Sequence, residues 1–118
     1  MDDLEVFKLS AEACDLRDMR VIDAEPPYIT YWTGNPGNFE KHDWNPFTND
    51  SQRWECQKKL LEAPDATLIL SGSADAHEFY DGQGEDYRGF NLKCPVEEFF
   101  ARALAELRKR EKGEKGRA

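Results

Sequence analysis

The feature that most limits how this chain can fold is an amphipathic segment near its C-terminus. Its apolar residues recur at the i, i+3, i+4, i+7 spacing of one helix face: Val96, Phe99, Phe100, Ala103, Leu104 and Leu107. Pro95 suits the first helical position, since its missing N–H would have no partner there, and Gly113 is the predicted stop. A helix with such a stripe must bury it against another surface, so we expect Phe99, Phe100 and Leu104 to pack on a sheet.

Three strands are predicted just before this helix, at residues 67–71, 77–80 and 87–92. Residues 81–86, between the second and third strands, form a loop of turn-forming residues. A parallel crossover needs a dozen or more residues, so strands with such short connections must run antiparallel. The sequence therefore predicts a three-stranded meander.

Two further helices are predicted from capping-box spacing, which Asp2 and Glu5 show at the first and Asn49 and Gln52 at the second. The predicted apolar face of the first helix consists of Leu4, Phe7, Ala11 and Cys14. The predicted stripe of the second consists of Trp54, Cys56, Leu60 and Leu61. The pattern predicts two amphipathic helices upstream of the meander.

Residues 18–48 have no clear periodicity. Residues 28–32 have strand composition and stop at a turn cluster, residues 34–37, after which residues 39–47 are rich in aromatic and polar side chains. A connection this long is functional or carries a short strand or hairpin. We therefore expect an α+β fold, in which an antiparallel meander of three or four strands packs in layers with three amphipathic helices. We also expect residues 1–112 to form a single domain and residues 113–118 to form a disordered tail.

The charge is uneven along the 118 residues, although the formal total is −8. Residues 1–50 hold 11 acidic and 4 basic residues, whereas residues 99–118 hold 3 acidic and 7 basic residues. An anionic body repels phosphate backbones, so we expect no direct binding to nucleic acid. The negative charge serves solubility, or it matches a partner with a basic groove, such as one that normally holds nucleic acid.

The sequence shows no pattern typical of secretion, membrane insertion or disulfide formation. The N-terminus is acidic, and no apolar run approaches the roughly 20 residues that span a bilayer, so we expect no membrane partner and a cytoplasmic protein. The three cysteines, Cys14, Cys56 and Cys94, lie far apart in the sequence. Their odd number and spacing argue against a disulfide framework and a zinc ribbon.

The order of elements from Trp44 to Lys109 resembles a known family. Trp44-Asn45-Pro46-Phe47-Thr48-Asn49-Asp50 leads into a helix with Trp54-Glu55 and Leu60-Leu61-Glu62, and Pro95-Val96-Glu97 leads to Ala101-Arg102-Ala103-Leu104. These features, with Ala11-Glu12-Ala13-Cys14 in the first helix, resemble the phage ABA sandwich domain. The resemblance implies a small cytoplasmic accessory protein of a bacteriophage, made in the infected bacterial host. Residues 20–41 are longer than that family's usual connection, and the family supplies no active site to transfer.

No catalytic or metal motif is visible. The two histidines, His42 and His77, lack Cys-x-x-Cys or His-x-x-x-His partners, so we expect neither a metal nor a cofactor. The carboxylates of the meander do not follow the pattern of a calcium loop. If the chain is a weak carboxylate-based hydrolase, Glu78 and Asp81 are the candidate general acid and general base. The sequence predicts no enzymatic activity, and this hydrolase stays an alternative.

The aromatic stretch is the best candidate for function, because Trp and Tyr are favoured anchors at interfaces. We predict a non-enzymatic inhibitor that binds a host defence protein, as anti-CRISPR and other anti-defence proteins do, and whose acidic surface faces a basic nucleic-acid-binding subunit. The predicted contact residues are Tyr31, Trp32, Phe39, Asp15, Asp18, Asp23, Glu25 and Asp43. Trp44 and Phe47 are expected instead to fasten the segment to the helices. A second alternative is a nucleotide-binding sponge that uses residues 28–47, with Arg17, Arg20 or Arg88 in an aromatic pocket.

Overall fold

The structure is a computed structural model that describes residues 1–71, 76–82 and 88–116. Within these ranges, three helices and six strands make up an α+β fold, as predicted. In chain order they are α1 (Asp3–Ala13), β1 (Arg17–Ile22), β2 (Tyr28–Asn35), β3 (Asn38–Trp44), α2 (Asp50–Leu61), β4 (Thr67–Ile69), β5 (Ala76–Asp81), β6 (Arg88–Lys93) and α3 (Val96–Gly116).

The strands form two separate antiparallel sheets rather than one meander of three or four strands. Sheet A has the order β1-β2-β3, and sheet B has the order β4-β5-β6. Sheet B is the predicted meander. Sheet A fills the segment that had no clear periodicity, so the predicted strand at residues 28–32 is the centre of a sheet of its own.

A projecting hairpin of β2 and β3 explains why β3 escapes detection in the sequence, and β1 is likewise largely exposed. β2 and β3 pair from Ile29 opposite Trp44 out to Asn35 opposite Asn38, and the turn between them is Pro36-Gly37, with Gly37 at a φ of 90°. Glycine adopts this conformation without the steric cost that a side chain imposes. Residues 33–41 are all exposed, so only the base of the hairpin meets the core. Exposed strands need no apolar alternation, which is the signal that sequence reading relies on.

Helix α3 is the centre of the core. Phe99, Phe100 and Leu104 are buried, which confirms the predicted inward face. The Phe99 ring lies 5.1 Å from the ring of His77 in sheet B, but α3 also packs along α1 and α2, and Leu104 lines the cavity between those helices. Leu104 is thus buried where α3 faces α1 and α2, a packing of helix on helix that the sequence did not predict. The helix also passes the predicted stop at Gly113 and ends at Gly116.

The N-caps are as predicted, whereas the buried faces of the first two helices differ. The Asp2 carboxylate accepts from the Glu5 amide at 2.8 Å, and the Asn49 side chain accepts from the Gln52 amide at 3.0 Å. The buried residues of α1 are Val6, Leu9, Ser10 and Ala11, because α3 and sheet A contact it from two sides. In α2, Gln52 is buried and Trp54 is 53% exposed, so Trp54 does not belong to the core stripe.

Sheet B covers α3 with one face, and its other face contains a close approach of two residues. Tyr80 pairs with Gly89 across β5 and β6, and a Cβ atom at Gly89 would lie 2.2 Å from Cδ1 of the Tyr80 ring. The Tyr80 hydroxyl donates to the Glu78 carboxylate at 2.5 Å. The absence of a side chain at Gly89 thus lets the Tyr80 ring lie across the sheet.

Candidate functional site

The most distinctive surface is the face of sheet A that points away from the helices. Residues paired across antiparallel strands lie on the same face of the sheet. The register therefore divides sheet A into an inner face, which contacts α1 and α2, and an outer face. The outer face consists of Arg17, Arg20, Ile22, Tyr28, Thr30, Trp32, Phe39, Lys41 and Asp43.

Four of the eight predicted contact residues come together on or beside this outer face. Trp32 is half-buried and Phe39 is 49% exposed, and both line a shallow hollow of about 340 Å³ with Asp18 and Arg20. Asp18 adopts a φ of 51° at the irregularity in β1, next to this hollow. Asp43 lies opposite Thr30, further toward the base of the sheet. The structure thus joins aromatic rings with charges of both signs.

Tyr31 lies on the inner face, away from Trp32 and Phe39. Its ring packs edge-on against Trp44, with centroids 5.8 Å apart, and its hydroxyl accepts a 3.3 Å hydrogen bond from the Gln52 side chain. Trp44 in turn donates to the Ser10 hydroxyl at 3.1 Å. Tyr31 therefore helps to fasten sheet A to the helices, and it does not share a surface with the other aromatic contact residues.

The remaining predicted acidic residues lie at two different places. Asp23 and Glu25 are exposed on the connection between β1 and β2, at the base of the outer face. Asp15 lies beyond the end of α1, where its carboxylate is 3.8 Å from the Lys59 ammonium on α2. Asp15 is thus separated from the outer face and belongs to the junction of the helices.

A groove of about 570 Å³ opens at the base of the outer face. Its aromatic and proline walls come from the N-terminal half of α1, the β1–β2 connection and the turn after β3. They are Phe7, Pro26, Pro27, Tyr28, Trp44 and Phe47. Asp2, Asp3 and Asp43 are the charged residues that line it. Tyr28 and Asp43 belong to both the groove and the outer face, so the two surfaces are continuous.

Phe47 fastens this groove to the helices, as predicted. Its ring packs edge-on against Phe7, with centroids 4.8 Å apart, and the Arg102 guanidinium lies 4.9 Å from its centroid. Arg102 also donates to the Asp3 carboxylate at 2.9 Å. Asp3 is therefore already paired with Arg102, and Asp2 accepts from the Glu5 amide as the cap of α1, which leaves Asp43 as the most available carboxylate of the groove.

The charges of the helices are largely paired with one another. Asp3, Glu5 and Glu12 of α1 form ion pairs with basic residues of α3, namely Arg102, Lys109, Arg108 and Lys112. The basic end of the sequence thus neutralises the acidic first helix. In contrast, the side chains of Asp18, Asp23, Glu25 and Asp43 form no ion pair within the part of the chain that the structure describes. Among the described residues, sheet A and its β1–β2 connection thus carry four of the carboxylates without an ion pair, and others, such as Asp2 and Glu97, lie at the N-termini of helices.

The residues considered for catalysis do not converge. Glu78 and Asp81 lie on opposite faces of β5, so they cannot share one proton-transfer site. His42 bonds Thr33 at 2.9 Å in sheet A, whereas His77 is buried in sheet B, where its Nδ1 accepts from the Ser71 amide at 3.1 Å. Across residues 1–71, 76–82 and 88–116, no three His, Cys, Asp or Glu side chains are grouped to hold a metal ion. The loop acids Asp75, Glu85 and Asp86 lie outside the described residues.

Arg20, Lys41 and Tyr28 complete the outer face, but they were absent from the predicted contact set. Pairing the strand at residue 28 with the chain beyond the turn at 36–37 would have placed Tyr28, Thr30 and Trp32 on one face. The same alternation puts Tyr31 on the other face. The register of the β2–β3 hairpin could therefore have identified these outer-face residues, whereas the amino-acid composition of the segment could not.

Comparisons with known proteins found no relative of this chain. No family model matches the sequence, and neither the curated proteins nor the solved structures contain a match. No helix in the described ranges is both long and apolar enough to cross a membrane.

Proposed function

We propose that this chain is a non-enzymatic protein-binding domain that contacts its partner through the outer face of sheet A. The observation that carries the proposal is the combination of exposed aromatic rings and unpaired charges on one sheet face. Interface hot spots are enriched in Trp, Tyr and Arg, and this face presents Trp32, Tyr28 and Arg20 together.

The proposed partner is a protein with a basic surface. Four carboxylates without an ion pair in the described part of the chain, Asp18, Asp23, Glu25 and Asp43, lie on this face, beside it or at its base, and opposite charges on two partners speed their association. The groove at its base offers Tyr28 and Asp43 to an incoming Lys or Arg side chain, because a cation is attracted both by a carboxylate and by the face of an aromatic ring. Arg20 and Lys41 place positive charge on the outer face beyond the groove. We therefore expect the basic patch of the partner to contact the groove, where the lining charges are all negative.

The biological setting that we propose is inhibition of a host defence protein by a phage accessory protein. It is supported by the resemblance of residues 44–109 to the phage ABA sandwich domain and by the acidic balance of the chain. A partner that normally binds nucleic acid supplies the basic surface that this proposal needs.

Affinity capture from a bacterial lysate tests the proposal with matched variants. The tagged wild-type chain, Trp32→Ala and Trp54→Ala are used as baits, and retained proteins are identified by mass spectrometry. Trp54 is the control, because Trp54→Ala is the same substitution at an even more exposed tryptophan that lies on α2 rather than on sheet A. The proposal predicts a protein that wild type and Trp54→Ala retain and that Trp32→Ala loses. A protein retained equally by all three baits, or by none, would contradict it.

The nucleotide-binding alternative has one observation in its favour. Arg20 lies beside Trp32 and Phe39 in the 340 Å³ hollow, where a base could stack while the guanidinium meets a phosphate. Asp18 lines the same hollow and opposes a phosphate. Titration of the purified chain with nucleoside triphosphates, followed by Trp fluorescence, separates the two functions. Saturable quenching that Trp32→Ala abolishes would support the nucleotide function instead.

A further inference from the structure

Two cysteines that are distant in sequence meet in the fold. Cys14 caps the C-terminus of α1 and is half-buried, while Cys56 lies in the middle of α2 and is fully buried. The Asp15 carboxylate, next to Cys14 in the chain, lies 3.8 Å from the Lys59 ammonium, which is one turn along α2 from Cys56. Cys14 also packs against the buried cluster that contains Cys56, so the two thiols lie close enough to interact. The spacing of the cysteines in the sequence predicted no such pair.

The surroundings make the two thiols unequal. A hydrogen bond from Cys56 lowers the pKa of the Cys14 thiol, and the nearby Lys59 ammonium acts in the same direction against burial and the acidic Glu55 and Asp15. The same hydrogen bond, together with burial, raises the pKa of the Cys56 thiol. Cys14 is therefore the nucleophile of the pair, because the thiolate is the attacking form and Cys14 is also the more exposed.

We propose that Cys14 and Cys56 are a redox pair that a low-molecular-weight disulfide, such as glutathione disulfide, converts to an intramolecular disulfide. The Cys14 thiolate attacks one sulfur of the small disulfide, whose S–S bond breaks and releases one small thiolate. Cys56 then loses its proton and attacks the Cys14 sulfur, which releases the second small thiolate. The protein dithiol is oxidised by two electrons, the small disulfide is reduced to two thiols, and the protons of Cys14 and Cys56 end on those thiols.

The bond would enclose sheet A. The loop between Cys14 and Cys56 contains β1, β2 and β3, and hence the whole outer face. Closing a loop of this length restricts the unfolded chain and stabilises the native state. For a domain of this size we expect the melting temperature to rise by about 8–16 °C on oxidation. This inference does not depend on the proposed function, since it concerns the chain without a partner.

Oxidation of the purified full-length chain with glutathione disulfide tests the pair. Intact mass and peptide mapping should show the loss of two hydrogens and a crosslink between the peptides that contain Cys14 and Cys56. Cys94→Ser is the matched control, because it keeps both members of the pair, and it should form the same crosslink. Cys14→Ser should form none and should lose the rise in melting temperature.

Three results would overturn the inference. They are a chain that stays fully reduced, a mixed disulfide on Cys14 that never resolves, and a crosslink that involves Cys94. Because Cys56 is buried and its replacement could unfold the chain, the decisive variant is Cys14→Ser, whose fold is checked by circular dichroism. Binding of any partner is not measured, so failure here leaves the proposed function unaffected.

Discussion

Gln52 joins α2 to sheet A, and its removal should loosen that joint. Its Oε1 accepts from the Asn45 amide at 2.6 Å, and its Nε2 donates to the Asp43 carbonyl at 2.7 Å and to the Tyr31 hydroxyl at 3.3 Å. The Gln52 side chain is buried, so Gln52→Ala leaves a backbone donor and a backbone acceptor without these partners.

The magnitude follows from those two backbone groups. A buried polar group that loses its partner costs about 1–3 kcal/mol, and water reaches part of this site because Asn45 is only half-buried. We therefore expect Gln52→Ala to lower the free energy of unfolding by about 2–4 kcal/mol, with the lost packing of the buried side chain included. Gln57→Ala is the matched control, because it makes the same change in the same helix at a half-exposed position.

Urea denaturation followed by circular dichroism measures both variants. The account predicts that Gln57→Ala stays within about 0.5 kcal/mol of wild type, as surface substitutions usually do. Gln52→Leu fills the site with an apolar side chain of similar size that can form no hydrogen bonds, and it should be destabilised as well. A stability of Gln52→Ala equal to that of Gln57→Ala, or full stability in Gln52→Leu, would refute the reasoning.

The remaining predictions concern the core, sheet B and metals. Leu104→Ala should cost about 2–5 kcal/mol, because Leu104 is buried where α3 meets α1 and α2; a loss below about 0.5 kcal/mol in chemical denaturation would mean that the wrong face is inward. Gly89→Ala should cost about 1–3 kcal/mol because its Cβ would displace the Tyr80 ring, whereas Gly113→Ala, in open space on α3, should be neutral or stabilising by up to about 1 kcal/mol. Addition of a chelator should leave the melting temperature unchanged, and a shift of several degrees would show a metal ion that the sequence does not reveal.

Local signals predicted the elements that depend on local interactions. Neighbouring residues predict the caps at Asp2 and Asn49, the apolar stripe of α3 and the antiparallel order of sheet B, and the structure has each of them. Propensity alone could not show that Gln52 rather than Trp54 is buried, because the partners of Gln52 come from β2 and β3.

The candidate site was predicted only in part, for a related reason. The aromatic and acidic composition of residues 15–47 singled out the correct region, but composition does not assign residues to faces of a sheet. The register placed Tyr31 inward and Arg20 and Lys41 outward, which changes the surface from purely acidic to mixed. The contact between Cys14 and Cys56 likewise depends on how α1 meets α2.

Charge should act on the encounter and the aromatic side chains on the lifetime of the complex. Asp43→Lys reverses a carboxylate of the groove, and Glu55→Lys makes the same change on α2. With the captured partner on a sensor surface, the account predicts that only Asp43→Lys slows association, and that added salt removes this difference. If both variants change the association rate equally, the negative charge of the groove does not guide binding and serves only solubility.

The dissociation rate of Trp32→Ala from the captured partner, measured by surface plasmon resonance, tests the central claim most directly. Loss of an interface anchor worth about 2 kcal/mol should raise that rate about thirtyfold. Trp54→Ala, whose side chain is exposed on α2, should dissociate as wild type does. The opposite pattern, with Trp32→Ala unchanged and Trp54→Ala dissociating faster, would contradict the assignment and move the interface from sheet A to α2.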